Sequence, residues 1–372
     1  MIPLRVLHAL TPDPGPAGDG VRALLYWLVR DHHQAGSLVR EHATAPVAPG
    51  VDNLLYRSGP LASLFGSKAE GLRRVAAWIP DIIHVHDLAW LASAIDIARR
   101  LRLSVVVSMT GEEEAVAGQL LRDPCIGWVI LPTERHRAHY LAKVGLSRDR
   151  VTYMPPGVDV AAARAVPYRM VDGALRVGFS GPCHERSGIP LLATALVRFA
   201  QANPVRGVYR PSSAADVEEL RAMLPPEAMA LIDISPVHGE GFMAGIDIFA
   251  DPGTDDHISI PLIEAMACAR PVLALAWGSM PETVRHGQTA HLVSPADPDA
   301  LLGGLRHLND PARRRELGEA GKLLAAERYD IGLVGEAMVE LYRMAIGGTR
   351  NSSVKAEGST VYRRISETRL VR

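Results

Sequence analysis

The chain has 372 residues, 48% hydrophobic and 22% charged, with 40 Lys and Arg against 41 Asp and Glu. That balance marks a soluble globular protein and excludes the basic face of a nucleic-acid binder, while the length suits two domains rather than one core. The three cysteines, Cys125, Cys183 and Cys268, are odd in number and widely spaced, so reduced thiols are expected.

The first residues, "MIPLRVLHALTPDPGPAGDG", do not read as a signal peptide, because the apolar part is short and Pro and Gly follow at once. No apolar run reaches the roughly 18 residues of a membrane span. A cytoplasmic protein without stable membrane insertion is expected.

In chain order, "LRVLHAL" (4–10) predicts a strand and "VRALLYWLVRDHHQAG" a helix closed by Gly36. "DIIHVHDL" (81–88) predicts a strand, "AWLASAIDIARRLRL" a helix, and "SVVVSMT" (104–110) and "WVILPT" (128–133) two more strands. "ERHRAHYLAKVGL" reads as a helix with Gly145 near its end, and "VTYMP" (151–155) as a strand. "GVDVAAARAVPYRMVDGA" has no clear period and reads as an interdomain linker. The alternation restarts at "LRVGFSG" (175–181) and runs through "RGVYRP", "ALIDIS", "GIDIFAD", "PVLALA" and "AHLVSP". A helix over 331–346 ends the folded part, and 347–372 reads as a polar, mobile tail. Alternating strands and helices predict an α/β fold with two doubly wound parallel sheets. The predicted domains are 1–165 and 174–330.

In such sheets ligands bind at the carboxyl ends of strands. The stretch "DHISIPLIEAMACARPVLAL" follows the strand "GIDIFAD". Pro261 suits an early helical position, and the helix start offers free N–H groups for a phosphate. Asp256 and Glu264 beside such a seat would accept hydrogen bonds from sugar hydroxyls, though by periodicity alone loop capping and the helix dipole account for them better. His84 and His86 lie two apart on a strand, hence on one face, with Asp87 next. A metal pair is conceivable there, but a strand end lining the ligand site is favoured, and no metal is expected. His136 and His139 share a helix face and are expected to be solvated. No dinucleotide fingerprint, P-loop or nucleophile elbow occurs.

The run "DHISIPLIEAMACARPVLALAWGSMPETVRHGQTAHLVSPADPDAL" closely resembles the donor-binding segment of the retaining GT4 glycosyltransferases, which have the GT-B fold: two Rossmann-like domains facing a cleft. Asp256 stands for the family's first Glu; Pro261, Glu264, Pro271, Pro281, Glu282, Gly287, Asp297 and Pro298 follow in register. "DGVRALLYWLVRDHHQAG" resembles the family's first Gly-rich loop and helix, with Gly20 in the loop. "DIIHVHDL", "VILPTERHRAHYLAKVGLSRDRVTYMPPGVD" and "VGFSGPCHERSGIPLL" resemble further family segments, so the likeness covers most of the chain.

The sequence departs from the pattern at three places. The Arg and Lys that hold the donor diphosphate fall on Pro182 and Ser187, with Arg186 and His184 close by. The usual His of the first domain falls on Thr110, followed by Gly111. Asp256 replaces Glu, and His257 and Ser259 replace two glycines.

The resemblance implies glycosyl transfer with retention from a nucleotide sugar to a small-molecule acceptor, without cofactor or metal. The acceptor is expected to be soluble, and specialised metabolite biosynthesis in a bacterium is the expected setting. Asp256 and Thr110 are the expected catalytic residues. Gly20, Gly181, His184, Arg186, Ser187, His257, Ile258, Ser259, Ile260 and Glu264 would bind the donor; His86, Asp87 and Gly111 would face the acceptor. A monomer or homodimer is expected. The alternatives are a non-catalytic GT-B protein that binds a nucleotide sugar or a partner enzyme, favoured by the lost cations, and a nucleotide-sugar epimerase.

Overall fold

The computed structural model describes residues 2–10, 17–39, 48–56, 67–109, 118–167, 173–237, 239–256 and 258–348. The chain forms two compact units: Met1–Gly157 with Ile331–Arg372, and Val158–Asp330.

The first unit holds a seven-stranded sheet. Its strands are β1 (Arg5–Ala9), β2 (Gln34–Val39), β3 (Asp52–Leu55), β4 (Ile82–Val85), β5 (Ser104–Ser108), β6 (Ile126–Leu131) and β7 (Val151–Tyr153), in the order β3-β2-β1-β4-β5-β6-β7. All pairings are parallel. The central strands are continuous apolar runs such as VVV in β5, as expected where helices cover both faces. One core gathers β1, β4, β5 and β6 with the helix Leu91–Leu101. On the opposite face, the last helix, Ile331–Gly348, packs Val334, Met338, Leu341 and Tyr342 against Val6, Ile82, Val106 and Ile130.

Two expectations for this unit need correction. The first helix spans Ala17–Arg30, and Gly36 does not close it but lies inside β2. The chain leaves the helix through His32 at φ +65°. Gly20, expected in a loop, is in that helix's first turn.

The second unit holds a six-stranded parallel sheet. Its strands are β8 (Leu175–Gly181), β9 (Val205–Pro211), β10 (Ile232–Ile234), β11 (Ile248–Asp251), β12 (Val272–Leu275) and β13 (His291–Val293), in the order β10-β9-β8-β11-β12-β13. The segment read as a linker contains a short helix, Val160–Ala163, capped by the Asp159 carboxylate. Val158, Val160 and Ala163 are buried in the core around the helix Ile260–Ala267. The strands that enter and leave this unit are adjacent: the Val158 N–H donates to the Tyr329 carbonyl at 2.8 Å.

Each sheet reverses its winding once. The chain runs β1, β2, β3 outward and then returns to place β4 on the other side of β1; it repeats this with β8, β9, β10 and β11. At such reversals the following loops diverge and leave a crevice at the carboxyl ends of the strands. Among the described residues, no helix is long and apolar enough to cross a membrane.

The turn after Ile260–Ala267 carries a local cost. Ala269 sits at φ +54°, in the left-handed region. A left-handed conformation costs an L-residue about 1–2 kcal/mol, and Gly gives back roughly 0.5–1 kcal/mol through the unfolded chain. Ala269→Gly is therefore expected to stabilise the second unit by about 0.5–1 kcal/mol. Thermal unfolding should show a small rise in Tm; a fall would mean the turn holds no strain.

Candidate functional site

In the second unit, the loops after β8 and β11 flank the reversal of the sheet. The helix after the β11 loop begins at Ile260, with Ser259 at its N-cap and Pro261 in its first turn. The Ser259 hydroxyl accepts from the Leu262 N–H at 3.4 Å. The helix is fixed by its apolar side: Ile260, Leu262, Ile263 and Met266 are all buried. Glu264, one turn in, is half-buried. Pro261 has no N–H and the Leu262 N–H is taken by Ser259, so the Ile260 N–H and the positive dipole end are what this helix start offers an anion.

Asp256 is held by the next loop. Its Oδ1 accepts from the Ser279 N–H at 2.8 Å. Gly278 makes this approach possible: it lies at φ +53°, and a Cβ there would sit 2.5 Å from Asp256 Oδ1. The carboxylate is thus anchored between the loops after β11 and β12.

The β8 loop is locked to the β11 loop. Gly188, at φ +68°, passes so close to Pro252 that a Cβ would lie 1.8 Å from its carbonyl oxygen. The Thr254 N–H donates to the Arg186 carbonyl at 2.9 Å, and Arg186 Nη2 donates to the Thr254 carbonyl at 3.1 Å. Asp255 then takes both nearby basic side chains. Its Oδ1 lies 3.0 Å from Arg186 Nε and its Oδ2 3.2 Å from His184 Nε2. The Ser187 hydroxyl donates to the His184 carbonyl at 2.7 Å and closes the turn. Gly181, at the end of β8 with φ +118°, accepts the Tyr209 hydroxyl at 2.8 Å. Ile258 is half-buried against the core of the unit.

In the first unit, the reversal between β1 and β4 gathers three imidazoles. His8 and His84 are register partners on the two strands, and His86 follows two residues after His84. His8 Nδ1 lies 2.9 Å from His86 Nε2. His84 Nδ1 meets the Tyr342 hydroxyl at 2.6 Å and its Nε2 meets the Ser108 hydroxyl at 2.8 Å. Burial pushes the His86 ring down to about 3; burial first, then the neighbouring imidazoles, holds His8 and His84 well below the ordinary range. All three are neutral at pH 7. Asp87 accepts from the Ala89 N–H at 2.8 Å and caps the turn Leu88–Trp90.

The structure thus brings Gly181, His184, Arg186, Ser187, Asp256, Ser259, Ile260 and Glu264 to the β8 and β11 loops and the helix that follows. His86 and Asp87 lie at the end of β4. Thr110, Gly111 and His257 lie outside the described residues, as does the tail from 349 onward. His136, expected to be solvated, is buried, with its Nδ1 2.7 Å from the Thr133 hydroxyl; His139 is half-buried. Sequence reasoning missed Asp255, Gly188 and Gly278, and it missed His8 and Tyr342 as partners of the strand histidines.

Residues 175–310 match the family model described as glycosyl transferases group 1. The D-inositol 3-phosphate glycosyltransferase of Kineococcus radiotolerans is 28% identical over 257 residues, which cover 59% of this chain and 57% of that protein. The chain spans little more than half the length of this and the next such relative. The GDP-mannose-dependent alpha-(1-6)-phosphatidylinositol monomannoside mannosyltransferase of Mycolicibacterium smegmatis is 25% identical over 89% of this chain and 97% of that protein. Among solved structures, Anabaena Alr3699/HepE in complex with UDP and glucose superposes with a TM-score of 0.74 at 16% identity, over 91% of this chain and 98% of that chain. Likeness at that identity establishes the GT-B fold and nothing finer.

The ion pairs at Asp255 generate a test. Arg186 is 66% exposed, so its pair with Asp255 is worth at most about 1 kcal/mol. A phosphate that recruits Arg186 has to displace Asp255. Asp255→Asn should therefore tighten binding of a nucleoside diphosphate by up to about fivefold. Arg186→Ala should weaken it about tenfold, as loss of a charge-assisted contact does. Calorimetry checks both; equal affinity across wild type and the two variants would remove this ion pair from the anion seat.

Proposed function

We propose that this chain, a divergent member of the glycosyl transferases group 1 (GT4) family with the GT-B fold, moves a sugar from a nucleotide-sugar donor to a hydroxyl of a small-molecule acceptor, with retention at the anomeric carbon. The second unit takes the donor and the first takes the acceptor. The observation that carries this reading is the β11 loop and its helix. There a capped helix start, an anchored Asp256 and a half-buried Glu264 follow one another within nine residues beside the reversal of the sheet. A phosphate seat with one carboxylate before it and one after it suits a sugar diphosphate: the anion faces the helix start and the hydroxyls face the acids.

Each residue has a distinct part. Glu264 accepts from the ribose hydroxyls, which are the same in ground and transition states. Asp256, with the backbone of 258–260, faces the donor sugar. As the glycosidic bond breaks, positive charge develops on the sugar and negative charge on the departing diphosphate. The Asp256 carboxylate opposes the first; the helix start and Arg186 oppose the second. The diphosphate needs no metal in this scheme.

The relatives' names support a sugar nucleotide as donor. They also add a phosphorylated polyol or its lipid conjugate as an acceptor class beside the soluble acceptor expected from the sequence. A second reading, a non-catalytic binder of nucleotide sugars, is favoured by one observation: Asp255 already neutralises the cation nearest the anion seat.

Kinetics separate these readings. Asp256→Asn is expected to lower kcat by at least tenfold with nucleotide affinity nearly intact, because it removes an interaction made in the transition state. Glu264→Gln is expected to raise KM with kcat nearly unchanged. If the wild type binds a nucleotide sugar but neither hydrolyses nor transfers it, the binder reading replaces this one. If both variants lose nucleotide affinity equally and neither changes kcat, Asp256 has no part in the chemistry.

A further inference from the structure

The β1/β4 reversal holds a second set of ligand-type side chains, and none of it belongs to the donor segment. His8, His84 and His86 each offer a ring nitrogen, and these three atoms lie within 4.8 Å of one another. Only the fold assembles them. His84 lies on β4 and His86 just past its end, but His8 comes from β1 and is placed by strand register.

One further feature makes this more than a packed aromatic cluster. His84 Nδ1 is held by the Tyr342 hydroxyl. Metal-bound imidazoles characteristically have their second nitrogen fixed by such an outer partner, which sets tautomer and ring orientation.

We propose that His8, His84 and His86 form a binding site for a divalent transition-metal ion of the zinc class. The ligands are His8 Nδ1, His86 Nε2 and His84 Nε2, with His84 Nδ1–H retained on the Tyr342 oxygen. Zinc–nitrogen bonds of about 2.0–2.1 Å in a tetrahedral set place the nitrogens about 3.4 Å apart. The His8–His86 pair is already at 2.9 Å, so the ion replaces that hydrogen bond by a small opening. The third nitrogen, no more than 4.8 Å away, closes by about 1.4 Å at most, which also takes His84 Nε2 off the Ser108 hydroxyl. Three neutral nitrogens leave the fourth position to an oxygen ligand, water or a hydroxyl group. The site lies in the first unit, and donor binding by the second unit does not depend on it.

The test uses the full chain without an affinity tag, stripped with a chelator and shown to be folded by circular dichroism. Zinc is titrated by calorimetry, and the metal retained after gel filtration is counted by mass spectrometry. One equivalent is expected. His86→Asn, at the half-exposed end of the cluster, should reduce retained zinc at least tenfold. Tyr342→Phe should weaken affinity by about 10–100-fold while keeping the ligands. Cobalt(II) added to the wild type should give the intense visible absorption of a four-coordinate ion, a readout that needs no variant to fold. A folded wild type that retains no zinc overturns the proposal. So does retention unchanged by His86→Asn, which would place the ion on other histidines.

Discussion

Everything functional in this molecule depends on one constraint of parallel sheets. A chain that winds outward on one side of its first strand and then returns must leave two neighbouring loops pointing apart. Here this happens between β1 and β4 and again between β8 and β11. Both places carry side chains that a purely structural crevice has no use for. One holds three neutral imidazoles; the other holds a capped helix start, the acids Asp255 and Asp256 held by their neighbours, and the basic side chains His184 and Arg186.

Magnitudes separate what holds the second site from what tunes it. The helix Ile260–Ala267 is fixed by burial of Ile260, Leu262, Ile263 and Met266, each worth about 1.5–3 kcal/mol. Approaches too close for a Cβ, of Gly188 to the Pro252 carbonyl and of Gly278 to the Asp256 carboxylate, hold the loops together. The exposed pairs of Asp255 with Arg186 and His184 are worth at most about 1 kcal/mol each. They are therefore exchangeable, and a ligand can rearrange them without disturbing the scaffold. The site is rigid where position matters and soft where charge has to be handed over.

Most of the stretch around Asp256 and Glu264 was legible in the sequence because it is local. Pro261, Glu264, Asp256 and the Pro281–Glu282 pair lie within one stretch of chain, and the alternation of strands and helices announced both sheets. What the sequence hid was long-range or short. β2 is written "QAGSLV", too small and polar to read as a strand, and its Gly36 looked like a helix stop. β3 is four residues long. His8 is 78 residues from His86 and joins it only through strand register. Tyr342 reaches His84 across 258 residues of sequence. Asp255 stood next to the acid the family pattern emphasises, and its pairing with Arg186 appears only when the β8 and β11 loops are brought together.

The central claim is that the second unit is a nucleotide-sugar site organised by the helix after β11. The most direct measurement is calorimetric titration of the chain with UDP-, GDP-, ADP- and dTDP-sugars in a buffer containing a chelator. The account predicts saturable binding of at least one of them with the metal removed. Absence of binding to all four would contradict it.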